Sequence, residues 1–285
     1  MSGRTAPSGG QRQLRMATLN VQGITASKLA NIMCWQRDER LDIVVLTETR
    51  AATDLSELAR RTPGVHASCS IHTCPGSGST GGVAVLLGRA CQLSAPVRFT
   101  ALDGGQRVLR LDLTLLGQQT SLVAVYAPAA TGERANFYSN VLPGYLPLPG
   151  SPLLMVGDFN CVSCAADCIY ADPDLSLQPS SSRLVGSAEL GSIVQQHGLR
   201  DVWRGASPEG RVFTHWSASA QSGARLDRWY FFFFFKERAL QQATTTATER
   251  QQLTGGLEDK LTKRRQATAK TEGDQKTTRP RERKD

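Results

Sequence analysis

A carboxylate and an amide stand two residues apart after an apolar run in the segment SPLLMVGDFN, residues 151–160. The run at residues 153–156 predicts a buried strand, and Gly157 is expected to end it, so that Asp158 and Asn160 emerge together. An aspartate can act as a base or metal ligand, and a neighbouring amide can donate a hydrogen bond to an anionic oxygen. The pair suits activation of water for attack on phosphate, although Asp and Asn after a strand also commonly form an ordinary turn.

Other apolar segments are also followed by polar side chains that would contribute nothing to a core. Carboxylates, an amide and a phenol brought together can bind a divalent cation and donate hydrogen bonds to phosphate oxygens. Taken singly, each has a structural explanation as a solvated strand end, a half-buried ring or a salt-bridge partner of a neighbouring arginine. The residues concerned are Asn20, Glu48, Tyr126 and Asp227.

The elements that would position these residues begin with strand, helix and strand, and continue with several strands in succession. Three strands between residues 83 and 126 are expected to form a meander in one sheet. Strands are predicted at residues 14–20, 41–46, 83–87, 108–115, 120–126, 153–156, 213–216 and 224–235. Helices are predicted at residues 27–40, 54–61, 132–145 and 187–197, with Ser27 as the N-cap of the first.

The composition favours an anionic partner such as nucleic acid. The chain has 285 residues, which is long enough for one large α/β domain. Its formal net charge is +8, which is basic enough to attract phosphate. More than half of this charge lies from residue 236 onward, where 13 Lys and Arg stand with 8 Asp and Glu. The part with the candidate site residues is therefore only mildly basic.

The two ends of the chain have compositions that predict disorder. Residues 1–13 are expected to be a disordered leader, and residues 236–285 a low-complexity basic tail. The tail motifs at residues 263–265 and 279–284 could bind phosphate, serve nuclear entry or simply be solvated. No apolar run is long enough to span a membrane.

The seven cysteines are an odd number and favour free thiols in a reducing compartment. Cys161, Cys164 and Cys168 have spacings in the zinc range, but a fourth ligand is not evident, and free thiols are the default expectation.

Five motifs in order, TLNVQG, LTETR, VYAP, GDFN and RLDRWY, carry a family resemblance. Over residues 14–230 the chain resembles the endonuclease/exonuclease/phosphatase superfamily, and most closely the apurinic-endonuclease-like (exodeoxyribonuclease III-like) domain of LINE-type retrotransposons. The resemblance implies an α/β domain at residues 14–235, built as a four-layer sandwich of two mixed β-sheets flanked by helices. It also implies a hydrolase that cuts DNA phosphodiester bonds with Mg²⁺, or with Mn²⁺ in its place.

The resemblance also implies roles for the candidate residues. Glu48 and Asn20 would hold the metal, with Asp158 and Asn160 in the same ligand set. Asp158 would also act as general base, Asn160 would hold a phosphate oxygen, and Tyr126 would donate to phosphate. Asp227 matches the late carboxylate that supports catalysis. The complete set of residues with an implied role is Asn20, Glu48, Tyr126, Asp158, Asn160 and Asp227.

The end of the chain departs from the family pattern. Family members continue to a final strand that opens with Ser-Asp-His, whereas this sequence runs into five phenylalanines and the low-complexity tail. None of its histidines, which are His66, His72, His197 and His215, occupies the position of the histidine in that motif. We therefore expect a domain without the last family strand, with weak or no activity and marginal stability. The alternative is a remnant that binds DNA without cutting it. A phosphoinositide or sphingomyelin substrate is a third possibility, which RLDRWY disfavours.

The protein is expected to be a monomer, intracellular and nuclear, with DNA as its partner and a connection to DNA repair or retrotransposition.

Overall fold

The computed structural model describes residues 14–62, 69–89, 91–93, 106–170, 180–217 and 222–232. The predicted leader, the predicted tail and the tail's two basic motifs lie outside these residues. The described strands are β1 (Met16–Asn20), β2 (Ile43–Thr47), β3 (Cys69–Cys74), β4 (Val83–Gly88), β5 (Gln92–Leu93), β6 (Val108–Leu115), β7 (Gln118–Tyr126), β8 (Leu153–Asp158), β9 (Cys168–Tyr170), β10 (Leu199–Asp201), β11 (His215–Ser217), β12 (Ser222–Ala224) and β13 (Asp227–Phe232). The described helices are α1 (Ala26–Asp38), α2 (Leu55–Arg61), α3 (Thr131–Asn136), α4 (Ser181–Leu184), α5 (Ser187–Gln196) and α6 (Val202–Ala206).

Two mixed sheets carry most of these strands. The four-stranded sheet has the order β1-β2-β4-β3, and the six-stranded sheet has the order β10-β13-β8-β7-β6-β5. Each sheet has one parallel pair, β1 with β2 and β7 with β8, and its other neighbours are antiparallel. Among the described residues β1 pairs only with β2, so it lies at an edge of its sheet.

Alternating side chains on the strands fill three apolar layers. In β2, Ile43 and Val45 join the core between the sheets, whereas Val44 packs with the buried faces of α1 and α2. In β8, Leu154 faces the same central core, and Met155 packs with α5 and the helical segment after β7. The order helix, sheet, sheet, helix is the predicted four-layer α/β sandwich.

The N-cap of helix α1 is Thr25, two residues before the predicted cap. The Thr25 hydroxyl accepts a hydrogen bond from the Lys28 N–H at 3.2 Å, and the Thr25 carbonyl accepts from the Leu29 N–H at 2.9 Å. Ser27 therefore lies inside the first turn, and the prediction of Ser27 as N-cap was wrong. Either hydroxyl can cap a helix, and the burial of Leu29, Ile32 and Met33 on the sheet selects Thr25.

The predicted meander was also wrong. Strand β4 belongs to the four-stranded sheet, whereas β6 and β7 form a hairpin in the six-stranded sheet. Apolar alternation reports which face of a strand is buried, but it does not report which sheet the strand joins. Strand β3, with the sequence CSIHTC, was not predicted because its serine, histidine and threonine interrupt the apolar pattern.

Gly157 lies inside β8 rather than ending it. Its φ is +140°, and a Cβ atom there would overlap the Val125 carbonyl oxygen of β7. The glycine permits the close approach of the two strands, so β8 continues to Asp158 in full register with β7.

The predicted helix at residues 132–145 is present as α3 followed by a π-helical turn, Phe137–Val141, and a 3₁₀ turn, Leu142–Tyr145. A third, small sheet has the order β11-β12-β9; its β11 overlaps the strand predicted at residues 213–216, whereas β9 was not predicted. Within the described ranges, no helix is both long and apolar enough to cross a membrane.

Candidate active site

Three of the predicted site residues lie in one row across the end of the six-stranded sheet. Strand β8 is central, with β7 on one side and β13 on the other. Its last residue, Asp158, pairs in register with Tyr126 of β7 and with Asp227 of β13. Side chains of neighbouring strands at the same register position share one face of a sheet. A phenol and two carboxylates therefore stand side by side.

Asn20 connects this row to the opposite sheet. Its amide nitrogen donates to Asp158 Oδ2 at 2.9 Å, across the end of the sandwich. The Asn160 backbone N–H donates to Asp158 Oδ1 at 3.0 Å, so both carboxylate oxygens have a fixed partner. The Asp158 residue is only 4% exposed. Its carboxylate is consequently held in one orientation, and it is held by both sheets.

Glu48 is presented by an unusual backbone segment after β2. Its φ is +55° and that of Arg50 is +53°, both in the left-handed region. Backbone N–H groups of Thr49 and Arg50 donate to the carbonyls of Gly82 and Gly81 at 3.1 and 2.9 Å. A Cβ on Gly82 would overlap the Thr49 hydroxyl. The glycine pair is thus required to hold Glu48 in this position.

The Glu48 carboxylate forms an ion pair with Arg50, whose Nε lies 3.1 Å from Oε1 and whose Nη2 contacts the same oxygen. The pairing with Glu48 raises the pKa of Arg50. One carboxylate oxygen of Glu48 is therefore already engaged by a cation of the same loop.

Tyr126 interacts electrostatically with both Glu48 and Asp158. Burial, followed by the negative charges of Glu48 and Asp158, raises the pKa of the Tyr126 hydroxyl to about 12, and Arg107 opposes the shift. The Arg107 guanidinium lies 5.3 Å from the Tyr126 ring centroid. The phenol therefore remains protonated at neutral pH and can donate a hydrogen bond to an anion.

Strained backbone conformations cluster at this end of the molecule. Within the described ranges, six residues other than glycine have positive φ, and four of them flank the site: Gln22, Glu48, Arg50 and Asn160. The Asn160 amide donates to the Ala127 carbonyl at 2.8 Å, which ties the loop after β8 to the loop after Tyr126. Such conformations persist where the surrounding structure fixes them, and they are frequent at functional sites.

Asp227 is positioned by a residue that sequence reasoning missed. The Thr214 hydroxyl oxygen accepts from the backbone N–H groups of Leu226 and Asp227 at 2.9 and 3.0 Å. Thr214 directly precedes β11 of the small sheet, so that sheet supports the start of β13.

A buried charge network, which we call the arginine network, anchors the same segment. It comprises Asp167, Asp201, Arg204, Arg225 and Arg228. Asp167 Oδ1 accepts from Arg204 at 2.6 Å and from Arg225 at 2.8 Å, and Arg228 lies 3.9 Å from Oδ2. Arg225 also donates to Asp201 at 2.6 Å. The sequence offered only the two arginines of RLDR as a signal, and Asp167 and Asp201 had no assigned partner.

The oxygen donors of the site suit a hard divalent cation. Asn20, Glu48 and Asp158 offer an amide and two carboxylates around Tyr126, and such ligands match magnesium. Counting only His, Cys, Asp and Glu, the described residues contain no group of three arranged to hold a metal ion.

The zinc alternative for the cysteines is not supported. Cys161 Sγ lies 3.7 Å from the Tyr138 hydroxyl, Cys168 Sγ lies 3.6 Å from an Arg183 nitrogen, and Cys164 is exposed. All seven cysteines are free thiols, as expected.

Comparison with solved structures gives the fold relationship. An AP endonuclease from Archaeoglobus fulgidus has a TM-score of 0.58 and 19% identity, covering 77% of this chain and 86% of its own. The AP endonuclease LMAP from Leishmania major has a TM-score of 0.60 and 20% identity, covering 81% and 83%. The 3′ phosphatase NExo from Neisseria, bound to product DNA hairpin, has a TM-score of 0.54 and 18% identity, covering 76% and 86%. At these identities the likeness establishes the fold alone.

Sequence comparison supplies the family. No curated protein sequence matches the chain. The model of the endonuclease/exonuclease/phosphatase family matches residues 17–232, which include all six candidate site residues and all of both sheets except Met16 at the start of β1. Because that match spans well over half of the chain, the protein belongs to the endonuclease/exonuclease/phosphatase family.

Proposed function

We propose that the protein hydrolyses DNA phosphodiester bonds with the help of Mg²⁺, as a nicking endonuclease of the retrotransposon type. The observation that carries the proposal is the row of Tyr126, Asp158 and Asp227, joined across the sandwich by the hydrogen bond from Asn20. Family membership supports hydrolysis of phosphate esters, and the net charge of +8 supports an anionic polymer as substrate.

In this proposal Asn20 and Glu48 hold the cation, with Asp158 and Asn160 beside them. When bound, a divalent cation neutralises charge that develops on the phosphate and lowers the pKa of bound water. Mn²⁺, which accepts the same oxygen ligands, would substitute for Mg²⁺.

Asp158 orients and deprotonates the attacking water. Its two oxygens are already fixed by Asn20 and Asn160, so the direction of its remaining lone pairs is set before substrate binds. Tyr126, protonated at neutral pH, donates to a phosphate oxygen, and Asp227 supports the polar environment of the row.

The second candidate is a protein that binds DNA without cutting it. The Glu48 carboxylate is already paired with Arg50, which would compete with a cation. In the part of the chain that the structure describes, His72, His197 and His215 make no hydrogen bond with the candidate site residues. Both observations favour a slow enzyme or an inactive one.

The decisive experiment measures nicking of supercoiled plasmid and of a duplex with one abasic site, with Mg²⁺ and with Mn²⁺. Asp158→Asn and Glu48→Gln keep the shape of each side chain while removing its charge, and Glu189→Gln on α5 is a matched control away from the site. We expect nicking by the wild type and the control, and none by the two site variants. Nicking that survives both substitutions would refute the assigned roles, and DNA binding by a folded protein without nicking would select the second candidate.

A chain that acts on chromosomal DNA must reach it, and we extend the proposal to a nuclear location and to a monomeric state. Expression of a fluorescent fusion and sedimentation of the purified protein test these two points separately.

A further inference from the structure

Arg134 is a buried cation that the chemistry described above does not use. It lies in α3, which follows the loop after β7, and it is only 8% exposed. Its hydrogen-bond acceptors within the described ranges are three backbone carbonyls, whereas Arg225, which is also buried, pairs with two carboxylates. Burying a guanidinium without a carboxylate is costly, so the carbonyls that Arg134 holds are the place to look for its purpose.

These carbonyls belong to two separate segments of the chain. Arg134 Nε donates to the Pro128 carbonyl at 3.0 Å and Nη2 to the Ala129 carbonyl at 2.6 Å, both in the loop after Tyr126. Nη1 donates to the Ser182 carbonyl of α4 at 2.9 Å. The planar fork of a guanidinium can hold three such acceptors at once, and the compact ammonium group of lysine does not match this geometry. Arg134 therefore fixes the loop after Tyr126 against α4.

The same loop carries the acceptor that orients Asn160. Ala127 directly precedes Pro128, and its carbonyl accepts from the Asn160 side-chain amide at 2.8 Å. The Ala127 N–H donates to the Asp158 carbonyl at 2.8 Å, so both polar groups of the Ala127 backbone are bonded to residues 158–160. An asparagine amide has two N–H donors, and the bond to Ala127 uses one and fixes the direction of the other. That second donor suits the phosphate oxygen that the family resemblance assigns to Asn160.

We infer that Arg134 is a positioning residue for DNA cleavage: it holds the carbonyls of Pro128 and Ala129, thereby fixes Ala127, and through Ala127 orients the Asn160 amide towards the phosphate. The inference rests on the proposed function, because it requires a phosphodiester at the site. A donor held in place beforehand needs no reorganisation when charge develops on the phosphate, and a displacement of about 1 Å can cost about a hundredfold in rate.

The first test separates catalysis from folding. Initial rates of nicking at several concentrations of supercoiled plasmid, with Mg²⁺, give kcat and KM for the wild type and for Arg134→Lys, which keeps the charge and loses the fork. Arg110→Lys is the matched control. Arg110 is a partly buried arginine of β6 that donates to Asp112, to the Ser121 hydroxyl and to the Tyr145 carbonyl, all outside the loops that carry the site.

We expect Arg134→Lys to lower kcat by about tenfold to a hundredfold and to change KM by less than about threefold, because one phosphate donor is misaligned while the other contacts to DNA remain. Arg110→Lys should leave both constants within about twofold of wild type. Asn160→Ala alone should lower kcat by about a hundredfold to a thousandfold. Adding Arg134→Lys to Asn160→Ala should cause no further loss, because a residue that acts through Asn160 then has nothing left to position.

A second readout requires neither DNA nor metal. The side-chain amide signals of Asn160 in a proton–nitrogen correlation spectrum, identified by their absence from the spectrum of Asn160→Ala, report the hydrogen bond to Ala127. These signals should shift in Arg134→Lys and stay in place in Arg110→Lys.

The outcomes distinguish the inference from the proposed function. A nicking wild type together with an unchanged kcat in Arg134→Lys, a further loss in the Asn160→Ala background, or unshifted Asn160 signals would each overturn the inference alone. If Arg134→Lys does not fold by circular dichroism, Arg134→Gln, which keeps two donors, is measured in its place, and failure of both to fold would mark a purely structural residue and overturn the inference. Absence of nicking by the folded wild type would overturn the proposed function together with the inference.

Discussion

Asp167 contacts all three arginines of the arginine network, and its removal is the perturbation that tests the network most directly. Its side chain is 0% exposed, and it accepts hydrogen bonds from Arg204, from Arg225 and from the Ser163 backbone N–H at 3.1 Å. Asp167→Asn keeps the shape and removes the charge, whereas Asp167→Ala also removes the acceptors.

The magnitude follows from the pKa of the carboxyl group. Burial alone would raise the pKa of Asp167, but Arg225, Arg228 and Arg204 outweigh it and lower the pKa to about 2, from an ordinary value of 3.8. Since one pH unit corresponds to about 1.4 kcal/mol, ionisation of Asp167 contributes roughly 2 kcal/mol to the free energy of unfolding. Asparagine resembles the protonated acid, so Asp167→Asn should cost about that amount. Alanine leaves buried arginines unpaired and should cost about 3–5 kcal/mol.

The sign of the pH dependence follows from the lowered pKa. The unfolded chain takes up its proton near pH 4 and the folded chain only near pH 2, so the stabilisation is complete above pH 4 and is lost as the pH falls towards 2. The advantage of wild type over Asp167→Asn should therefore shrink over this interval.

Urea unfolding followed by far-UV circular dichroism measures both effects, at pH 7 and at steps down to pH 3. The matched control is Asp38→Asn, an exposed partner of Arg37 that should change stability by no more than about 0.5 kcal/mol. A value for Asp167→Asn within about 0.5 kcal/mol of wild type at pH 7 would refute the reasoning, because the network would then contribute nothing measurable.

Three further predictions test other features. Gly157→Ala should cost at least about 3 kcal/mol through overlap with β7, measured as a fall in melting temperature, while Gly132→Ala, where a Cβ meets no atom, should not destabilise. Tyr126→Phe should reduce nicking about tenfold to a thousandfold with DNA affinity little changed, and a wild-type rate that falls between pH 7 and 9 through loss of the tyrosine proton would contradict its pKa of about 12. Thr214→Val should cost about 1–3 kcal/mol and slow nicking by displacing Asp227, and Thr214→Ser, which keeps the acceptor, should retain both.

The choice of site residues came from the family resemblance, and local pattern indicated only that Tyr126 and Asp158 lie at or just after the end of an apolar run. Each of Tyr126 and Asp158 ends an apolar run, and the register of parallel neighbours brings such ends together. The layer order followed from the family resemblance, and most strands and helices lie within a few residues of their predicted positions.

The parts that sequence reasoning missed depend on contacts between distant residues. Asp167 meets Arg204 and Arg225 across 37 and 58 residues of chain, and nothing in a local window indicates these pairs. Gly157 inside β8 was interpreted as the end of the strand. The need for a glycine at this position comes from the Val125 carbonyl oxygen of the neighbouring strand β7, which a local window of sequence does not indicate. The assignment of β4 to its sheet is likewise a property of the whole fold.

The hydrogen bond from Asn20 to Asp158 has a consequence for the order of events during folding. The two residues are 138 positions apart, and they belong to opposite sheets. Neither sheet alone contains a complete site, and contacts of such long range are expected to form late. In a refolding experiment, recovery of each sheet's secondary structure should therefore precede recovery of nicking. The delay between the two signals would measure how long the two sheets take to pack against each other.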